Sequence, residues 1–306
     1  NFFLFFLLSL TIQFFSLSKF KKWFLDKPNE RSVHKTPKPT SGGVVFVILG
    51  TIGSLYYKSY LPLFCLPLAI TGLIDDRYNI SIKYRFFIQI ITALLLINLS
   101  PLEIDTNILA LDYFLKILLI ISLIAIINFV NFMDGIDGLV TGSMIIYLII
   151  FSIIFSPSLT PLVGSLAAFL IYNWSPAKIF MGDVGSTFLG ALFGGILLQM
   201  PDWSSSFEYL FIASPLLADA FICVLRRFFN RENIFYGHKK HLFQRLINQR
   251  GLTPGKISLI YILSSISCSI SLFLGGTYFL IINLFLLMLL GIYLDQFIAK
   301  PFISKN

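Results

Sequence analysis

The chain is 306 residues long, 57% hydrophobic and only 12% charged, where a soluble domain carries about 25% charge. Several apolar runs approach or exceed the roughly 17 residues that cross a bilayer, which excludes an ordinary soluble domain and points to an all-α polytopic membrane protein. The formal net charge of +8 then reads as a sidedness signal rather than a nucleic-acid footprint, so no nucleic-acid partner is expected.

Eleven apolar spans follow in order, at about 1–18, 43–58, 61–74, 84–100, 111–127, 139–156, 160–173, 184–200, 207–225, 257–275 and 277–295. The first run, Phe2 to Leu17, lacks a basic leader and a small-residue cleavage site, and reads as a membrane helix rather than a signal peptide. Spans 61–74 and 160–173 are short enough to be re-entrant or tilted. Pro62, Pro101, Pro157, Pro161 and Pro201 fall in connectors on one side. With the N-terminus outside, all 23 Lys and Arg except Lys58 and Lys116 lie on the inner side, which fixes N-out/C-in. The longest hydrophilic stretch, 226–256, is too small for its own core, so residues 1–306 form a single integral membrane domain. Cys65, Cys223 and Cys268 lie in apolar runs without Cys/His ligand spacing, which argues against structural zinc and a disulfide framework.

In this topology every conspicuous polar group falls on the cytoplasmic face. The central stretch, Asn128-Phe-Val-Asn131-Phe-Met-Asp134-Gly135-Ile-Asp137-Gly138, joins two apolar runs. On a helix a spacing of three advances about 300° per step, so the four polar side chains fan over roughly half the circumference and can converge on one ligand. A polar connector accounts for one Asp but poorly for two Asn and two Asp at fixed spacing.

Four other loops carry chemistry. His34 to Gly43 is stiffened by two Pro, and Lys35 and Lys38 suit phosphate or, equally, anionic lipid. Asp75-Asp76-Arg77 closes the third span; adjacent carboxylates favour a shared proton or a cation. Lys83 and Arg85 follow, as phosphate ligands or as part of the charge bias. Met181-Gly-Asp183-Val-Gly-Ser186-Thr187 opens the eighth span, where an Asp at a helix N-terminus suits a metal–phosphate complex or simply caps the helix. In the loop from Arg226 to Arg245, His238 and His241 sit three apart amid Lys and Arg, which suits a pyrophosphate; the positive charge disfavours a His-x-x-His metal site. Asp219, inside the ninth span, is expected to be structural, paired with a basic group.

These five loops, in this order, resemble the polyprenyl-phosphate N-acetylhexosamine-1-phosphate transferases. Asp75-Asp76 matches that family's paired Asp, Asn128 to Gly138 its Asn-x-x-Asn-x-x-Asp-Gly-x-Asp-Gly motif, and Met181 to Ser186 its Gly-Asp-x-Gly-Ser motif. His238-Lys-Lys-His241 departs from the consecutive His of the peptidoglycan branch and looks more like the branch that starts O-antigen and other surface polysaccharides. The resemblance implies an enzyme of the bacterial inner membrane in which undecaprenyl phosphate attacks the sugar-bearing phosphate of a UDP-sugar and releases UMP. The sugar would be of GlcNAc, QuiNAc or FucNAc type. It also implies magnesium, with manganese as an alternative, held by Asp183 and Asp76. Asp75, Asp76, Asp134, Asp137, His238 and His241 would be catalytic, and Lys35, Arg85, Asn128, Asn131, Gly135 and Arg245 would bind substrate. A homodimer is compatible with this reading. The rival reading, a transporter of a lipid-linked or anionic solute, calls for polar groups at mid-bilayer depth in two related halves, and no such halves are visible.

Overall fold

The computed structural model describes the backbone of residues 2–26, 28, 36–233 and 238–302, and within it the side chains outside 18–23. Helices dominate: α1 (Phe2–Trp23), α2 (Gly43–Tyr56), α3 (Leu61–Tyr78), α4 (Ile82–Asn98), α5 (Leu109–Met133), α6 (Leu139–Ile154), α7 (Thr160–Asn173), α8 (Gly182–Leu198), α9 (Trp203–Ile212), α10 (Ser214–Phe229), α11 (Leu242–Leu246) and α12 (Pro254–Tyr293). Among the described residues the only sheet is a two-residue antiparallel pair, β1 (Leu25–Asp26) with β2 (Lys38–Pro39). Local chemistry sets several starts. Pro occupies the first turn of α3, α7, α10 and α12, where its missing N–H costs nothing. Ser81, Asp202 and Thr253 cap α4, α9 and α12 by accepting a backbone N–H.

The molecule is organised around α8. From Val184 to Leu198 every residue except Thr187 is buried, and the helix touches α2, α3, α4, α5, α6 and α9. Small residues permit the approach: a Cβ on Gly190 would lie 2.8 Å from the Ile127 Cα of α5. The helices around it turn large apolar side chains outward, among them Phe14 and Phe15 on α1, Ile117 and Ile121 on α5, and Phe273, Leu274 and Phe285 on α12. An exposed apolar surface of that extent suits hydrocarbon rather than water.

Among the described residues two helices are long and apolar enough to cross a bilayer by length and composition, Leu109–Met133 and Pro254–Ile298; α9 and α10, bent by 81° at their junction, would together make a third. The expected span 207–225 is therefore a broken one, interrupted where Ser214-Pro215 begins a new helix. The two expected spans 257–275 and 277–295 meet at Gly276, whose φ of 63° and ψ of −156° interrupt α12. Asn283 Nδ2 donates to Ser267 Oγ at 3.0 Å. On a straight helix residues sixteen apart are about 24 Å away, so the chain reverses at Gly276. Hydrogen bonds also tie the connectors at the end of the bundle remote from the Asp-rich loops, Ser100 Oγ to the Leu198 carbonyl and Trp203 Nε1 to the Glu103 carbonyl.

Candidate active site

Asp76 joins three loops. The segment after β2 runs beside residues 178–181: Phe180 N donates to the Pro39 carbonyl at 2.9 Å, Gly42 N to Phe180 at 3.0 Å and Gly43 N to Met181 at 3.0 Å. This sets Ser41, buried and left-handed with φ 62°, where its hydroxyl donates to Asp76 Oδ2 at 2.7 Å. Asp183 N donates to Asp76 Oδ1 at 2.8 Å. Between them Gly182 has φ 73°, and a Cβ there would fall 2.2 Å from Asp76 Oδ2. Gly72 does the same for the helices, since its Cβ would fall 2.4 Å from the Asp183 carbonyl carbon, so only Gly lets α3 and α8 meet here.

Around that joint stand the other carboxylates. Asn131, near the end of α5, donates to Asp183 Oδ1 and to Ser186 Oγ, both at 3.0 Å. Arg85 donates to Asp75 Oδ2 at 2.8 Å and lies 3.6 Å from Asp183 Oδ2. Asp75 also accepts from Ile80 N at 2.7 Å. Asp134 is half-buried at the end of α5, and among the described residues no donor reaches its carboxylate. Burial, then the charges of Asp183, Asp76 and Asp137, holds the Asp134 carboxyl well above the usual range. Burial likewise raises Asp183, with Asp76 adding to it, and raises Asp76 against the opposing bonds from Ser41 and Asp183. A half-buried carboxylate without a donor, crowded by like charge, is the environment a divalent cation relieves. The donors are all hard oxygens, so magnesium or manganese fits better than a softer ion.

The four-residue fan does not form as expected, because α5 ends at Met133 and only Asn128 and Asn131 are helical. Asn128 turns away to exchange bonds with Gln89 of α4 at 3.2 and 3.0 Å. Asp137 lies beyond the turn, accepting from Ala177 N at 2.9 Å with Lys38 Nζ 4.0 Å away. Gly135 serves packing: a Cβ would meet the Phe243 ring at 2.8 Å. Lys35 and His34 lie outside the described residues.

The last loop is built differently from expectation. Asp219 accepts from Leu242 N (2.7 Å), Phe243 N (3.0 Å) and the Tyr261 hydroxyl (2.7 Å), which caps α11 and fastens it to α10 and α12. His241, only 3% exposed, has Nδ1 3.7 Å from Asp219 Oδ1. Arg245 is buried and bonded within the protein: Nε donates to Lys240 O at 3.1 Å, Nη1 to Lys300 O at 2.7 Å and Nη2 to Asp295. Asp295 also receives both Arg226 Nη groups, at 3.0 and 2.7 Å, and the Phe302 ring covers Arg226, Lys240 and Arg245. Burial first, and then neighbouring His241, Arg227 and Lys240, lower His238 to about 3, so its imidazole is neutral at pH 7. Sequence spacing missed Cys223, which α10 brings beside both histidines; its signal is the one-turn interval from Asp219, which places the two on one helix face.

The glycosyl transferase family 4 model matches residues 59–200, which hold the paired Asp, the Asn/Asp stretch and Asp183. Over 303 residues the chain is 28% identical to a probable undecaprenyl-phosphate N-acetylglucosaminyl 1-phosphate transferase of Bacillus subtilis, covering 90% of this chain and 84% of the relative. It is 29% identical over 259 residues to an undecaprenyl-phosphate α-N-acetylglucosaminyl 1-phosphate transferase of Thermotoga maritima, covering 82% and 81%. A phospho-N-acetylmuramoyl-pentapeptide-transferase of Streptococcus equi subsp. zooepidemicus is 30% identical over 230 residues, covering 63% and 69%.

Proposed function

The chain belongs to glycosyl transferase family 4, among the polyprenyl-phosphate sugar-1-phosphate transferases, and on that premise we propose that it transfers an N-acetylhexosamine-1-phosphate from a UDP-sugar to undecaprenyl phosphate. The lipid phosphate oxygen bonds to the sugar-bearing phosphorus, the bond to the bridging oxygen breaks, and UMP leaves with that oxygen. GlcNAc is the first sugar to test, followed by QuiNAc and FucNAc, and the product would start a surface polysaccharide such as O-antigen.

The observation that carries this reading is the carboxylate of Asp134, which no donor reaches among the described residues and which lies in the field of Asp183 and Asp76, where loops from α3, α5 and α8 meet. Asp134, Asp183 and Asp76 would hold magnesium, which when bound neutralises the charge of the diphosphate. Asn131 orients Asp183, and Arg85, bonded to Asp75 yet 40% exposed, would meet a phosphate oxygen. A cavity of about 440 Å³ between α10 and the second half of α12 runs from Ile222, Leu284 and Leu287 to Arg226 and Lys240. Its apolar length suits part of a polyprenyl tail. Eleven crossings, N-out and C-in, would put every one of these groups on the cytoplasmic face of the inner membrane.

The test is UMP release by purified protein from UDP-GlcNAc, UDP-QuiNAc and UDP-FucNAc, each with and without undecaprenyl phosphate and magnesium. We expect release from one sugar that needs both additions and falls at least about 100-fold in Asp183→Asn. Folded protein that releases no UMP from any of the three overturns the assignment of sugar class, and release without lipid overturns the acceptor.

A further inference from the structure

We propose that Cys223, His238 and His241 bind a transition-metal ion of the zinc class, at a site distinct in its donors from the carboxylate cluster. One thiol and two imidazoles, from α10 and from the loop before α11, place their donor atoms within 4.8 Å of one another. Thiolate and imidazole select soft and borderline ions, whereas the oxygens of Asp76, Asp134 and Asp183 select hard ones, so the two sites differ in chemistry as well as in place.

The surroundings fit an ion. His241 is buried, and among the described residues its Nδ1 has no hydrogen-bond partner within 3.5 Å, which costs free energy unless something engages the ring. Asp219 Oδ1, 3.7 Å from that nitrogen, stands where a carboxylate orients a metal-bound imidazole and raises its basicity.

The positive charge of the loop, which argues against a metal at the level of sequence, is offset in part by the fold, where two carboxylates face four of its cations. Arg227 and Lys240 are paired with Glu232 at 3.2 and 2.5 Å, and Arg226 and Arg245 with Asp295. A Cys223 thiolate would add one more negative charge to that set. Around a tetrahedral ion, bonds of about 2.0–2.3 Å place donors roughly 3.3–3.7 Å apart, so the cluster must tighten by up to about 1.5 Å. Three protein donors leave a fourth position for water or an anion. The ion would pin the loop carrying Phe243 to α10, and Phe243 is the side chain packed on Gly135 beside Asp134.

The test uses the full chain in detergent, stripped with chelator and titrated with Co²⁺ as the spectroscopic substitute for Zn²⁺. We expect one ion per chain and a thiolate-to-cobalt charge-transfer band that Zn²⁺ displaces and millimolar Mg²⁺ does not. Cys223→Ser abolishes the band, while Cys65→Ser and Cys268→Ser leave it intact. His238→Ala weakens binding at least about tenfold, and Asp219→Asn weakens it about 10–100-fold where the variant folds. Absence of the band in the native chain, or its survival in Cys223→Ser, overturns the proposal. Because the readout is spectral, it is unaffected if no sugar nucleotide is turned over.

Discussion

At the scale of single residues, the cluster separates carboxylates that hold the fold from one that does not. Both Asp76 oxygens are bonded, to Ser41 and to Asp183 N, so removing that side chain unties three loops at once. Asp134 has no such duty and is crowded by Asp183, Asp76 and Asp137. Asp134→Asn removes like-charge repulsion without losing a bond, so thermal unfolding in detergent should show stability unchanged or raised by up to about 1 kcal/mol. UMP release by the same variant should fall at least about 100-fold. A clear loss of stability would instead mark Asp134 as structural. Gly182 makes the complementary case: its left-handed φ alone costs an L-residue about 1–2 kcal/mol, and a Cβ would strike the Asp76 carboxylate. Gly182→Ala should therefore lower both the unfolding temperature and turnover, in contrast to Asp134→Asn.

At the scale of elements, the sequence made some things readable and hid others, for definite reasons. Apolar runs bounded by Pro placed most of the helices within a few residues, because burial and proline's missing N–H act locally. The bend between α9 and α10 stayed hidden, since Phe207 to Leu225 reads as one hydrophobic run and only Ser214-Pro215 hints at the break. The motif residues Asp76, Asn131 and Asp183 do converge, yet Asn128 and Asp137 are spent on Gln89 and Ala177, bonds that depend on which helices become neighbours. Arg245 looked like a ligand for phosphate, but the end of the second half of α12 returns Asp295 and Phe302 to the basic loop. That return has a measurable weight. Asp295→Ala leaves Arg245 buried without its carboxylate and should cost about 2–4 kcal/mol. Arg226→Gln breaks a pair whose guanidinium is 41% exposed and should cost under about 1 kcal/mol. Equal losses in the two variants would mean that the C-terminal return contributes no more than a surface ion pair.

At the scale of the whole molecule, the two ends of the bundle are chemically unlike, and that contrast supports an orientation. One end gathers Asp75, Asp76, Asp134, Asp183 and the basic loop; the other holds Leu99, Ser100, Trp203 and the turn at Gly276, where Thr277 bonds to Glu208. Lys58 and Lys116, the two basic residues expected outside, are exposed, as is Lys256 in the first turn of α12, which is expected inside. The three native cysteines are buried, so they give little background to a thiol reagent. Lys58→Cys should react with a membrane-impermeant maleimide in intact cells, and Lys256→Cys should react only after the membrane is opened. The hairpin makes the test sharper, because residues 254–298 must cross twice if Asp295 is to reach Arg226 at the end of α10. Labelling Lys300→Cys from inside and Gly276→Cys from outside checks that double crossing directly. Reactivity of both on the same side would place the hairpin flat against the membrane, and the charge bias of the loops would then need a different count of crossings.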